Sequence, residues 1–249
     1  MNDKTINEKK IEHYKDEGYF IIEKAIEKNV LSEAQKSFFN IKQKVKLGQY
    51  PYYRVYDDYS LNKNISGIEM TFHENILTES IMKLIINSKV LEIAKEIIGE
   101  EIELELSRFH LTEEYSHVGI WHRDERINNY GDTLQMNIFL FDEKGLQIID
   151  QSHKKEIPEE ALLKKTPHAS LENAKWIIAQ AGDILVFNPG VLHRGISANS
   201  RANIHFRFKK KIDKTETIKL NYQNLVIPNN WLNILQNSPM AINESNFKP

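Results

Sequence analysis

The sequence predicts a mainly β protein, a sandwich or barrel of short strands with flanking helices. Three observations predict it. Apolar residues fall at helical spacing in the first part of the chain, and the period changes to two from residue 101. Beyond that point many short apolar runs are separated by turn signals, a pattern of sandwiches and barrels. A chain of 249 residues, 41% hydrophobic and 27% charged, has enough apolar material for one large core.

The elements follow in order. Leu31 to Lys46 reads as an amphipathic helix, with Phe38, Phe39 and Ile41 among its apolar residues. In the next helix Val90, Leu91, Ala94, Ile97 and Ile98 share one face, Ser88 is the expected N-cap and Gly99 the expected stop. Such stripes are core packing, so residues from about 1 to 99 form a helical buttress. Then Ile102, Leu104 and Leu106 alternate with Glu103, Glu105 and Ser107. Further strands are expected near 117–124, 134–141, 145–150, 175–179, 183–187 and 201–209. The barrel spans about 100–212. From about 213 to 249 the chain is polar, punctuated by Pro228 and Pro239, and reads as a tail or cap. Without repeats, low-complexity tracts or an evident linker, 1–249 is expected to be a single domain.

Composition excludes several classes. A net charge of −2 gives no electrostatic case for nucleic acid or an anionic membrane. With no cysteine there are no disulfides and no thiolate sites, so any metal must be held by histidine and carboxylate. Met1 to Thr5 has no apolar h-region and no run approaches a membrane span, so a cytoplasmic location is expected. Nothing in the sequence implies an obligate protein partner.

One constellation carries chemistry. Trp121-His122-Arg123-Asp124 is followed by the turn Gly182-Asp183, the apolar run Ile184 to Phe187, then Pro189-Gly190-Val191-Leu192-His193 and finally Arg201. Two histidines and a carboxylate in the order His-x-Asp…His form the three-ligand set that holds non-haem Fe(II) on one face and leaves the other open. On a strand alternate side chains share a face, so His122 and Asp124 would aim at one ion, in line with Val118 and Ile120, while Arg123 points away. A lone His-x-Asp is a weak signal in a chain with 9 histidines and 35 acidic residues, among them His117, His153, His168 and His205. The ordered sequence of strand, turn, buried strand, turn, histidine and arginine is what gives it weight. Trp121, on the opposite face, reads as core.

These blocks resemble the phytanoyl-CoA dioxygenase family of iron- and 2-oxoglutarate-dependent oxygenases. Tyr14-Lys15-Asp16-Glu17-Gly18-Tyr19-Phe20-Ile21-Ile22 is similar to the family's opening helix-turn-strand. Ser88 to Gly99 is similar to the helix before its barrel. Ile138 to Asp142, Gly145 to Ile149 and Ser152-His153-Lys154 resemble a strand pair ending in a Gly-Ser-His-Lys signature, and Gly182 to Arg201 resembles the last block. Gln151 departs from the pattern, standing where the family has glycine. The connection at Glu143-Lys144 and the interval from His193 to Arg201 are short.

The resemblance implies a double-stranded β-helix, a jelly-roll or cupin-like barrel. It also implies that 2-oxoglutarate and O₂ join Fe(II) as cofactors, with succinate and CO₂ released as a small-molecule substrate is hydroxylated. His122, Asp124 and His193 are the expected metal ligands. Arg201 is the expected anchor for the far carboxylate of 2-oxoglutarate, since a guanidinium grips a carboxylate bidentately and keeps its charge; Arg207 is the rival. Superfamily halogenases replace the carboxylate by a small residue, so Asp124 favours hydroxylation, desaturation or ring closure. Arg108 and His110 lead toward the site, and the tyrosine-rich stretch Tyr50 to Tyr59 either lines its mouth or packs a loop. Two other readings compete: a cupin-type metalloenzyme that does not use 2-oxoglutarate, and a non-catalytic binding protein of the same fold.

Overall fold

The computed structural model describes residues 6–46, 54–56, 67–71, 80, 83–84, 87–99, 102–112, 119–128, 131–196 and 201–210. Helix α1 (Ile6–Glu17) stops at Gly18, whose φ of +92° few side chains tolerate and whose N–H donates to Tyr14 O at 2.9 Å. Strand β1 (Tyr19–Ile22) leaves this turn. Next come α2 (Lys28–Lys46), β2 (Arg54–Tyr56), β3 (Gly67–Thr71) and α3 (Ser88–Ile98). The remainder is β4 (Ile102–Thr112), β5 (Thr133–Phe139), β6 (Glu143–Ile148), α4 (Glu160–Leu163), β7 (Lys175–Ala179), β8 (Ile184–Phe187), β9 (His193–Gly195) and β10 (Arg201–Lys210).

The N-cap of α3 differs from expectation. Asn87 fills it, its side chain accepting from Lys89 N at 3.0 Å, because asparagine one residue earlier reaches the open N–H. Gly99 ends the helix as expected, at φ +107° with its N–H on Lys95 O. The tail from 213, Val118, His117 and most of Tyr50 to Tyr59 lie outside the described residues.

The strands form two antiparallel sheets, one in the order β1-β8-β5-β10-β4-β3-β2 and one in the order β7-β6-β9. No ladder joins the two into a closed barrel among the described residues. Alternation decides their faces. Leu134, Met136 and Ile138 of β5, Ile184 and Val186 of β8, and Ala202, Ile204, Phe206 and Phe208 of β10 share a core with Tyr14, Ala34, Phe38, Val90, Leu91, Ala94 and Ile98 from the helices. These helices cover one face of the sheet, but the region expected to be helical also contributes β1, β2 and β3 to that sheet, where their backbones complete its edges. Phe139, Leu185 and Phe187 meet Leu146, Ile148, Ile177 and Ala179 of the small sheet, so the two sheets pack face to face.

It follows that Gln135, Asn137, Arg201, Asn203, His205 and Arg207, at the alternate positions of β5 and β10, turn away from the helices toward the small sheet. Register sets them side by side: Gln135 opposite Arg207, Asn137 opposite His205. Arg108 and His110 of β4 stand in register with His205 and Asn203.

Gly18 locks the N-terminal segment onto this frame. A Cβ there would stand 2.4 Å from Val191 Cγ2 and 2.6 Å from His153 Nδ1. Gly18→Ala therefore meets both a left-handed backbone and overpacking, and is expected to cost roughly 3 kcal/mol. Chemical denaturation measures it; an unchanged midpoint would show that the turn does not hold this conformation.

Candidate metal centre

Two segments remote in sequence are zipped together at the centre. His122 N donates to His193 O at 2.9 Å and His193 N to His122 O at 3.0 Å, a single antiparallel bridge rather than the continuous strand expected over 117–124. Asp124 N and Glu125 N both donate to Pro189 O, at 3.0 and 3.2 Å. The Pro189-Gly190 turn is braced by Asn188, whose side-chain oxygen accepts from Gly190 N at 2.8 Å. Asp183 sets the preceding turn, accepting from Lys24 N and Gln180 N at 2.8 Å each.

The three expected ligands meet here. One ligand atom from each of His122, Asp124 and His193 lies within 4.8 Å of the others, and Asp124 Oδ2 is 3.4 Å from His193 Nε2. Facial donors with metal bonds of about 2 Å stand about 3 Å apart, so small movements would complete the set. The imidazoles are already oriented for it. His122 Nδ1 donates to Ile120 O and His193 Nδ1 to Val191 O, both at 2.9 Å, which leaves each Nε2 as the lone-pair nitrogen. Burial raises the Asp124 carboxyl's pKa, yet His193 above all, with His122 and His205, outweighs it when these imidazoles carry a proton and holds it well below the usual carboxylate range, so that each Nε2 takes either a proton or a metal beside a carboxylate. A carboxylate and two fixed imidazoles fit a divalent transition metal.

Arg123 points away, as expected, and knits the surroundings together. Its guanidinium donates to the carbonyls of Ser152 and Gly190 and pairs with Glu160. Trp121 is buried with Ile149, Leu163, Leu171 and Leu192, its Nε1 donating to Ala169 O at 2.8 Å. Around Asp124, Gln135 Nε2 donates to Oδ2 at 2.8 Å and Arg207 Nη2 lies 3.4 Å from Oδ1. Sequence reasoning missed Gln135. The available signal was its polarity on a strand whose neighbours Leu134 and Met136 are apolar.

Arg201 is placed differently from its three companions. Its side chain is buried on an internal carboxylate, Nε donating to Glu143 Oε1 at 2.9 Å.

The two outlying signatures touch each other. Gln151 N donates to Glu17 O at 3.0 Å, His153 Nε2 to Lys15 O at 3.1 Å, and Lys154 pairs with Asp16 at 3.2 Å. Ser152 Oγ donates to Ile149 O at 2.6 Å and accepts from Leu192 N at 2.8 Å, so this turn also supports the strand carrying His193. Gln151 adopts φ +58°, which explains why glycine suits that position.

Burial lowers the pKa of His153, aided by Lys154 and Arg123 against the bond to Lys15 O. The unfolded chain takes up this proton near pH 6.5 and the folded one only at lower pH, so the stabilisation is complete above about 6.5 and is lost as pH falls below it. Thermal unfolding between pH 7 and 5 is expected to show this decline, and His153→Gln to flatten it. An equal decline in the variant would assign it elsewhere.

Known proteins of this fold now bear on the site. No protein-family model matches the chain, and no curated protein matches it in sequence. Solved structures do match. The structure of AviO1 from Streptomyces viridochromogenes Tue57 has a TM-score of 0.67 at 14% identity, covering 87% of this chain and 100% of that one. The non-heme alpha-ketoglutarate-dependent carbocyclase SnoK from nogalamycin biosynthesis has a TM-score of 0.63 at 14% identity, covering 84% and 87%. EctD from S. alaskensis, solved with bound Fe, has a TM-score of 0.63 at 17% identity, covering 84% and 79%. At such identities the likeness establishes the fold alone: this chain shares the architecture of these three proteins. Among the described residues no helix is long and apolar enough to cross a membrane.

Proposed function

We propose that this protein is an Fe(II)- and 2-oxoglutarate-dependent dioxygenase of the phytanoyl-CoA dioxygenase type, a single-domain jelly-roll enzyme that hydroxylates a small molecule. The observation that carries the reading is the pair of imidazoles with Nδ1 committed to carbonyls, facing Asp124. His122, Asp124 and His193 hold the metal. Gln135 and Arg207 steady the Asp124 carboxylate. Arg201 receives the far carboxylate of the cosubstrate. When bound, Fe(II) with 2-oxoglutarate supplies the O₂ activation that inserts oxygen into a C–H bond and yields succinate and CO₂. The chain's own task is to bind, orient and enclose. The retained carboxylate of Asp124 argues against halogenation; hydroxylation is the outcome we assign, and ring closure, the activity named for the carbocyclase among the neighbours, is the outcome that product analysis would reveal instead.

No primary substrate is needed to test it. With Fe(II), 2-oxoglutarate and O₂, slow uncoupled turnover is expected, with succinate formed in proportion to O₂ consumed. Succinate at the protein-free background would reject the assignment.

A further inference from the structure

The metal reading does not use Glu143, a carboxylate only 3% exposed between the sheets. Its Oε1 accepts from Arg201 Nε at 2.9 Å, and both of its oxygens accept from Asn203 Nδ2 at 3.0 Å. Arg201 itself is 4% exposed. The contact is built into the backbone. A Cβ at Gly145 would stand 2.3 Å from Arg201 Cδ and 2.4 Å from its Cγ and Nε, so glycine there is what lets the arginine lie across β6. The guanidinium that the sequence sets aside for a ligand's carboxylate thus already holds one from its own chain.

Resting on the reading of Arg201 as the cosubstrate anchor, we propose that Glu143 is an internal competitor for that arginine and a determinant of cosubstrate specificity. Its negative charge opposes the far carboxylate of 2-oxoglutarate and leaves untouched a 2-oxo acid with no second carboxylate. Like charges in a buried site repel with little screening, so the effect falls on the dicarboxylate alone. The site therefore discriminates between dicarboxylate and monocarboxylate 2-oxo acids less than an unpaired arginine would.

The charge can be removed with the bond to Arg201 kept. In Glu143→Gln the amide oxygen, placed at the Oε1 position, keeps the bonds from Arg201 Nε and Asn203 Nδ2, and the contact of Nδ2 with the second oxygen is lost.

The test is calorimetric titration of the Fe(II)-loaded full chain, without oxygen, using 2-oxoglutarate and 2-oxobutyrate. Glu143→Gln is expected to tighten 2-oxoglutarate by about tenfold or more while 2-oxobutyrate stays within about twofold. Because Arg201 then waits without a counter-charge, thermal unfolding is read with and without 2-oxoglutarate as a second measurement, and the ligand is expected to raise the midpoint of Glu143→Gln more than that of the wild type. Unchanged or weaker 2-oxoglutarate binding overturns the proposal, as does equal tightening of both acids. If the wild type binds neither acid, the cosubstrate reading itself has failed and the proposal falls with it.

Discussion

Asp124→Ala is expected to abolish metal-dependent chemistry, with Fe(II) affinity reduced by more than about a hundredfold. Asp124 is the one anionic member of the constellation, and loss even of groups outside the coordination sphere costs 10- to 100-fold. The loss is not local. Gln135 Nε2 gives up its acceptor and Arg207 its carboxylate neighbour. Equilibrium dialysis of Fe(II) or Mn(II) against wild type and variant measures the effect. Retained affinity would show that other groups hold the metal.

Arg201 calls for a different experiment, because truncating it does two things. Arg201→Ala removes the expected cosubstrate anchor, and it also strands the Glu143 carboxylate in the interior. Removing one partner of a buried pair costs about 3 to 5 kcal/mol, so the single variant is expected to lose stability sharply. Arg201→Met combined with Glu143→Gln replaces both charges. It is expected to recover most of that stability and still to bind 2-oxoglutarate weakly, by a few kcal/mol, the scale of a lost charge-assisted pair. Urea unfolding and cosubstrate titration of the single and double variants separate the two effects. If the double variant binds 2-oxoglutarate like the wild type, Arg201 is structural and Arg207 takes its place as the candidate.

How much of this was legible in the sequence depended on whether the cause was local. Strand 175–179 matches the expected bounds because a short apolar run, Trp176 to Ala179, stops at the turn Ala181-Gly182-Asp183. The face shared by Arg201, Asn203, His205 and Arg207 followed from alternation alone, since Ala202, Ile204, Phe206 and Phe208 had to be buried opposite. The meeting of His122, Asp124 and His193 was expected from their order and spacing, although the segment carrying the first two forms a single bridge and not the strand on which that spacing was argued. Other features rest on contacts that no local pattern encodes. The bridge between His122 and His193 arises when two turns are brought together by the packing of the sheets. The capture of Arg201 by Glu143 needs Gly145 across the gap, and nothing near Arg201 in the chain announces it. The meeting of Asp16-Glu17-Gly18 with Gln151-Ser152-His153-Lys154 is equally remote. Each motif was visible, and their contact was not.

The most direct measurement is the visible absorption of the anaerobic protein as Fe(II) and then 2-oxoglutarate are added. A metal-to-ligand charge-transfer band is expected that requires both additions and is missing in Asp124→Ala. Iron that binds without producing the band on 2-oxoglutarate addition would contradict it, and would leave a metal site of the same fold serving a different chemistry.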